Sequence, residues 1–276
     1  MPELPEVETV RRGLAPVLEG QRLARVIIRR RDLRWPLPDD FGQRLTGKQV
    51  LDVGRRAKFL MISLEDETVW IAHLGMSGRF RVFAPPVPPE EAHDHVIIET
   101  DAGAVIRFND PRRFGFMDLT TRADCATHPM LANLGPEPID GDFDAAVLES
   151  RLKGRAAPIK AALLDQKTVA GLGNIYVCEA LFQAGISPRR KARTVQGGRA
   201  EKLANAVVDV LTRAIAAGGS SLKDHRQTDG ELGYFQHDFH VYGRAGEPCR
   251  RCGPNHPVRH LVQSGRSTFY CSQCQR

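Results

Sequence analysis

The sequence predicts an α+β multidomain protein: an N-terminal helix, a β-sandwich or barrel, a helical domain and a short cysteine-bearing ribbon. Three observations predict it. Apolar residues recur at helical spacing in the first twenty residues and again after about residue 130. Between those stretches lie short runs rich in Val, Ile and Phe, separated by Gly, Pro and Asp. Four of the six cysteines stand near the C-terminus as two CxxC pairs.

The first element is a helix over residues 3–19. Leu4, Val7, Val10, Leu14 and Leu18 mark its apolar face, and Gly20 stands where it should end. An N-terminus is usually a frayed end, yet this one carries Pro2, Pro5, Glu3, Glu6 and Glu8. From Leu23 to about Leu119, segments such as KFLMISL, TVWIAHL, GRFRVF and HVIIET predict about eight short strands. FAPPVPPEEAH reads as a Pro-rich surface loop. Beyond residue 130, FDAAVLESRLKG, APIKAALLDQK, NIYVCEALFQAG and RAEKLANAVVDVLTRAIAAGG each repeat apolar residues every three or four positions. Gly171 and Gly173 allow tight turns between two of these helices. AGGSSLKD leads into QTDGELGYF, so residues 218–234 read as a mobile loop. The division expected is 1–130, 131–235 and 236–276.

A chain of 276 residues with 42% hydrophobic and 26% charged residues has ordinary globular composition and can bury a sizeable core. The net charge is +6 and the pI about 9.1. Arginine suits phosphate recognition through its planar fork. No apolar run approaches a membrane span, which needs about 18 residues. No secretory leader pattern opens the chain. Together with cysteines arranged for metal binding rather than a disulfide framework, these features predict a cytoplasmic protein.

Cys249, Cys252, Cys271 and Cys274 form CRRC and CSQC, separated by residues 253–270. That spacing predicts a ribbon whose two tight turns present four thiolates to one zinc ion. Four cysteines saturate zinc, so the site is structural, with His256 and His260 as rival ligands. So short a segment has little core, and metal binding should supply much of its folding free energy. Residues 236–276 hold six arginines against Asp238 and Glu247, a surplus suited to a DNA-facing surface. Arg266, in SGRSTFYC, is the arginine placed to meet a ligand.

Taken together, PELPEVETVRRGL, RRAKFL, HLGMSG, HDHV, NDPRRFG, LGPEP, DQKTVAGLGNIYVCEALF, VYGRAGEPCRRCG and TFYCSQC, in that order, resemble the formamidopyrimidine-DNA glycosylase family. These motifs span the whole chain. The resemblance implies that the helical domain is a helix-two-turn-helix. It implies a bacterial, nucleoid-associated, monomeric enzyme that excises oxidised purines from double-stranded DNA and cleaves the abasic site.

The resemblance also implies roles. Met1 is removed, and Pro2 becomes a secondary α-amine that titrates near pH 8 and attacks the sugar C1′. Glu3 acts as general acid. Glu6 lies one helical turn on and orients a water or Pro2. Helix-start acids also favour the macrodipole, which suffices for Glu8 and competes for Glu6. Lys58 contacts a flanking phosphate and assists β-elimination, or it is one more solvated charge. Arg266 serves δ-elimination and phosphate binding. A base in a duplex is reached by flipping it out. Met76, Arg112 and Phe114 match the set that fills the resulting void, although Met76 and Phe114 alone would read as core. Asn174 stands at a helix start, as phosphate ligand or plain N-cap. Lys160, Arg155, His93 and Tyr242 are further DNA-contact candidates by motif position. Residues 218–234 close over the flipped base.

Two other readings compete. One is a zinc-ribbon nucleic-acid-binding protein without catalysis, for which an N-terminal Pro-Glu has no use. The other is endonuclease VIII-like specificity for oxidised pyrimidines, from which PELPE departs.

Overall fold

The structure is a computed structural model, and it describes residues 2–141, 143–220, 228 and 233–276. The chain divides into two compact units. The first joins residues 1–132 to 217–234. The second joins residues 133–216 to 235–276. The helices and the cysteine ribbon therefore share one unit. Segment 217–234, expected with the helices, belongs to the other.

The first unit opens with helix α1 (Leu4–Leu18). Eight strands follow: β1 (Leu23–Ile28), β2 (Val50–Arg56), β3 (Phe59–Leu64), β4 (Thr68–His73), β5 (Arg79–Phe83), β6 (Asp94–Thr100), β7 (Val105–Asn109) and β8 (Phe116–Thr121). They form two four-stranded antiparallel sheets, ordered β1-β6-β7-β5 and β2-β3-β4-β8. Alternation explains the burial: along β3, Leu60, Ile62 and Leu64 are buried while their neighbours are partly exposed. Val7, Val10, Leu14 and Leu18 of α1 join Trp70, Phe80 and Phe108 from the sheets in one core. A short helix, α2 (Phe41–Leu45), was not expected from the sequence; it buries Phe41 edge-on against Trp70.

In the second unit, the four expected helices are present: α3 (Ala145–Leu152), α4 (Ile159–Leu164), α5 (Asn174–Gln183) and α6 (Gly198–Ala216). α5 is buried along nearly its whole length and packs on both α4 and α6. The ribbon contributes β9 (Pro248–Cys249), β10 (Gly253–Pro257), β11 (Arg259–Gln263) and β12 (Arg266–Tyr270). Its core is shared: Cys178 and Phe182 of α5 cluster with Val241, Cys249, Val258 and Cys271. A ribbon too small for its own core thus borrows one from the helix.

Candidate catalytic and DNA-contact sites

The N-terminus is a folded part of the first unit. Pro2 and Glu3 are buried, and Glu3 is the N-cap of α1 in extended conformation. Glu6 Oε2 accepts the Glu3 N–H at 2.8 Å, which satisfies a donor that the helix leaves free. The other oxygen of Glu6 accepts both the backbone N–H and the hydroxyl of Ser220, at 2.8 and 2.9 Å. One carboxylate therefore ties the helix start to the base of segment 218–234. An isolated bridge between Ser220 and Tyr234 brings the two ends of that segment together. Residues 221–227 and 229–232, where closure over a flipped base was expected, lie outside the described residues.

Glu8 does more than favour a helix dipole. It lies beyond the first turn and is 7% exposed. Its carboxylate accepts from Arg11 at 2.9 and 3.0 Å, Arg12 at 2.9 Å and Arg55 at 3.1 Å. Burial alone would raise its pKa. The hydrogen bonds from Arg11, Arg12 and Arg55 and the charge of Arg11 outweigh that and hold it at about 2. The pair with Arg55 joins α1 to β2, three residues before Lys58. Lys58 sits in the two-residue turn between β2 and β3. It is 6% exposed, so the reading as a solvated surface charge does not hold.

His73, at the end of β4, was not singled out from the sequence. Its ring stacks on Phe116 and lies 5.0 Å from Phe59, and its Nδ1 accepts the Gly75 N–H at 3.0 Å. Burial, with Lys58 and Arg34 adding positive charge, lowers its pKa to about 4. It is a neutral imidazole at neutral pH. The motif HLGMSG held the residue, but only the fold shows how it packs between Phe59 and Phe116.

The three void-filling candidates stand on two loops. Phe114 is 42% exposed and Met76 half-buried, so neither is a core residue. Arg112 lies over the Phe114 ring, 4.9 Å from its centroid. The exposed His93 is beside Arg29, Arg30 and Arg113 in a basic hollow.

In the second unit, Arg266 is exposed at the tip of the β11–β12 hairpin, as expected. Lys160 is not exposed at all. Its Nζ donates to Ser267 O at 2.8 Å and Thr268 Oγ1 at 2.7 Å, so it anchors the strand that carries Arg266 rather than facing solvent. The N-cap of α5 is Gly173, not Asn174. Asn174 Nδ2 donates to the same Ser267 O at 2.9 Å. Its buried Oδ1 has no hydrogen-bond partner among the described residues. Arg155 is paired with Asp165 at 3.0 Å. Tyr242 is half-buried against Phe269. Its N–H donates, with those of His240 and Val241, to Glu179, a buried acid within the apolar run of α5. In the sequence its signal is a lone acid inside the apolar run NIYVCEALF.

The four sulfurs of Cys249, Cys252, Cys271 and Cys274 all lie within 4.8 Å of one another. Cys249 and Cys274 are 3.8 Å apart, and Cys252 and Cys271 3.5 Å. A tetrahedron with Zn–S bonds of about 2.3 Å has edges of about 3.8 Å. Desolvation and the neighbouring sulfurs push the thiols of Cys252 and Cys274 upward, the latter to about 11. Against burial, which would raise it, backbone hydrogen bonds lower the Cys249 thiol to about 7, and four thiolates held this close together call for a cation. The Arg251 N–H points at Cys249 Sγ, 3.4 Å away, a typical outer contact of a metal-bound sulfur. The cluster fits structural zinc, and neither His256 nor His260 joins it.

Comparison with known proteins agrees with this geometry along the whole chain. Residues 1–117 match the formamidopyrimidine-DNA glycosylase N-terminal domain and residues 134–226 the H2TH domain of the same enzymes. Residues 246–276 match a zinc finger found in FPG and IleRS. Formamidopyrimidine-DNA glycosylase of Rhodospirillum centenum is 59% identical over 291 residues, and that of Ruegeria pomeroyi 56% over 283, each covering both chains completely. The crystal structure of MutM (Fpg) from Thermus thermophilus superposes with a TM-score of 0.88 at 42% identity, covering 99% of this chain and 98% of that one. Lactococcus lactis Fpg, solved with DNA containing an abasic site, gives 0.89 at 34% with full coverage of both.

Proposed function

Because the chain belongs to the formamidopyrimidine-DNA glycosylase family of base-excision-repair enzymes, we propose that Pro2 is its nucleophile and that its substrates are 8-oxoguanine and formamidopyrimidines in duplex DNA. The observation that carries this reading is the fixed N-terminus. Pro2 and Glu3 are buried, the Glu3 backbone is bonded to Glu6, and Glu8 holds the helix through Arg55. A nucleophile held before substrate arrives loses little entropy in the reaction.

With Met1 removed, the Pro2 nitrogen forms a bond to C1′ as the bond from C1′ to the damaged base breaks. Glu3 protonates the sugar ring oxygen, which opens the ring and leaves an iminium ion. The cationic nitrogen draws electrons from C2′, so a proton leaves C2′ and the C3′–O bond breaks. A second elimination breaks the C5′–O bond and leaves a one-nucleotide gap with phosphate ends. Lys58 assists the first elimination, and Arg266 binds phosphate during the second. Met76, Arg112 and Phe114 fill the void, with Arg112 able to hydrogen-bond the orphaned cytosine. His93, Arg155, Asn174 and Tyr242 contact the backbone, while Lys160 contributes by holding the hairpin of Arg266. Zinc, as a single ion in the four-cysteine site, supplies stability alone. All these groups come from one chain, so a monomer in the bacterial cytoplasm suffices.

Excision assays on matched duplexes test the substrate class. Release of 8-oxoguanine opposite cytosine should far exceed release of thymine glycol, and the reverse order would assign the chain to oxidised pyrimidines. Pro2→Gly should lose glycosylase activity while retaining lesion-duplex affinity. An equal loss of both would make Pro2 structural.

A further inference from the structure

The loops carrying the void-filling residues are joined by a buried cluster that none of the proposed roles uses. Asp110 follows β7 and is fully buried. Its Oδ1 accepts the Ser77 hydroxyl at 2.5 Å, and its Oδ2 accepts the Gly115 N–H at 2.7 Å. Ser77, itself buried, accepts the Arg112 N–H at 3.2 Å. The Asp110 carbonyl accepts from His95 Nε2 at 2.9 Å and from the Arg113 N–H at 3.2 Å. One serine hydroxyl and one carboxylate thus span two loops. Met76 stands on one, immediately before Ser77. Arg112 and Phe114 stand on the other, between Asp110 and the Gly115 whose N–H it accepts. The loops also touch directly. Gly75 has φ +62, and a Cβ there would lie 2.2 Å from the Phe114 carbonyl carbon, so only glycine admits this approach.

We propose that Ser77 and Asp110 are positioning residues that fix the spacing between Met76 and the Arg112–Phe114 pair, so that the three side chains enter the vacated base position as one unit. The inference rests on the reading that those three residues fill the void. Its physical basis is the cost of breaking the link. Without the Ser77 hydroxyl, Asp110 Oδ1 loses its donor in a buried setting and the Arg112 N–H loses its acceptor in a partly buried one. In Asp110→Asn, the carbonyl oxygen can still serve Gly115, but an NH₂ group then faces Ser77 Oγ. The serine proton loses its acceptor, and the link between the loops is weakened without a change of shape. A displacement of about 1 Å in a positioned group can cost on the order of a hundredfold in rate.

The experiment compares Ser77→Ala and Asp110→Asn with Arg112→Ala. Three readouts are taken: single-turnover excision of 8-oxoguanine opposite cytosine and opposite adenine, and borohydride trapping on a single-stranded abasic oligonucleotide, which has no void to fill. Ser77→Ala and Asp110→Asn should keep single-strand trapping within about twofold. They should lose about tenfold or more of duplex excision and lose discrimination between the opposite bases, as Arg112→Ala does. If Arg112→Ala loses discrimination while both cluster variants retain it, the inference is overturned. If both cluster variants also lose single-strand trapping, the cluster is a folding element and the inference is again overturned. If Arg112→Ala itself retains discrimination, the void-filling reading fails, and the inference falls with it.

Discussion

Replacing Lys160 with methionine separates a phosphate ligand from a structural anchor. The ammonium is fully buried and donates at 2.8 and 2.7 Å to Ser267 and Thr268. Hydrogen bonds from a charged donor contribute about 1.5–3 kcal/mol each. Methionine recovers part of that loss because no charge need then be desolvated. Ser267 O also keeps the Asn174 N–H. The net cost should be about 1–3 kcal/mol, and for a chain of this size each kcal/mol lowers Tm by about 2–4 °C. The strand carrying Arg266 loosens, so affinity for a lesion duplex falls. Its salt dependence should not change, because no phosphate contact is lost. Arg266→Ala, by contrast, should reduce the slope of log K against log salt by about 0.9. Titrations at several salt concentrations, with thermal melts, decide the matter. A slope reduced by about 0.9 in Lys160→Met, with unchanged Tm, would refute the anchoring role.

Acid should destabilise the first unit in two windows. His73 has its pKa lowered from 6.5 to about 4 by burial and then by Lys58 and Arg34. Its stabilisation is complete above pH 6.5 and fades as pH falls toward 4, a loss on the order of 3 kcal/mol. Glu8, lowered from 4.5 to about 2, adds a second loss as pH falls from 4.5 toward 2; its partners Arg11 and Arg12 reach solvent, and screening of those pairs holds this loss to about 1 kcal/mol. Urea midpoints from about pH 7.5 to 4.5 should decline in wild type and stay flatter in His73→Gln; identical declines would exclude His73 as the source. Stripping the metal with a chelator should expose α5 as well as the ribbon, because Cys178 and Phe182 share the ribbon's core. Amide exchange should then quicken from residue 174 to 183, and exchange confined to residues 246–276 would show that the ribbon unfolds alone.

The sequence made legible what local pattern encodes. The α1 stripe and the eight strands follow patterns that one kind of element imposes, and the two CxxC pairs a spacing that one metal ion imposes. Five residues in FGQRL are too few for a period, so α2 went unseen. Burial of charged groups was equally invisible, because it depends on distant partners. Lys160 meets residues more than a hundred positions away, and Glu6 meets Ser220 from the far end of the chain. Glu8 was read as a helix-start acid, although Arg11 and Arg12 at three- and four-residue spacing already hinted at a local ion cluster. Ser77 in HLGMSG and Asp110 in NDPRRFG declare themselves only when the two loops are seen together.

The central claim is that the amino group of Pro2 performs the chemistry. Borohydride reduction of the protein on an 8-oxoguanine duplex, followed by peptide mapping, tests it most directly. One adduct on Pro2 of a chain lacking Met1 is expected. A well-folded protein that forms no adduct, or an adduct that maps to Lys58, would contradict the account.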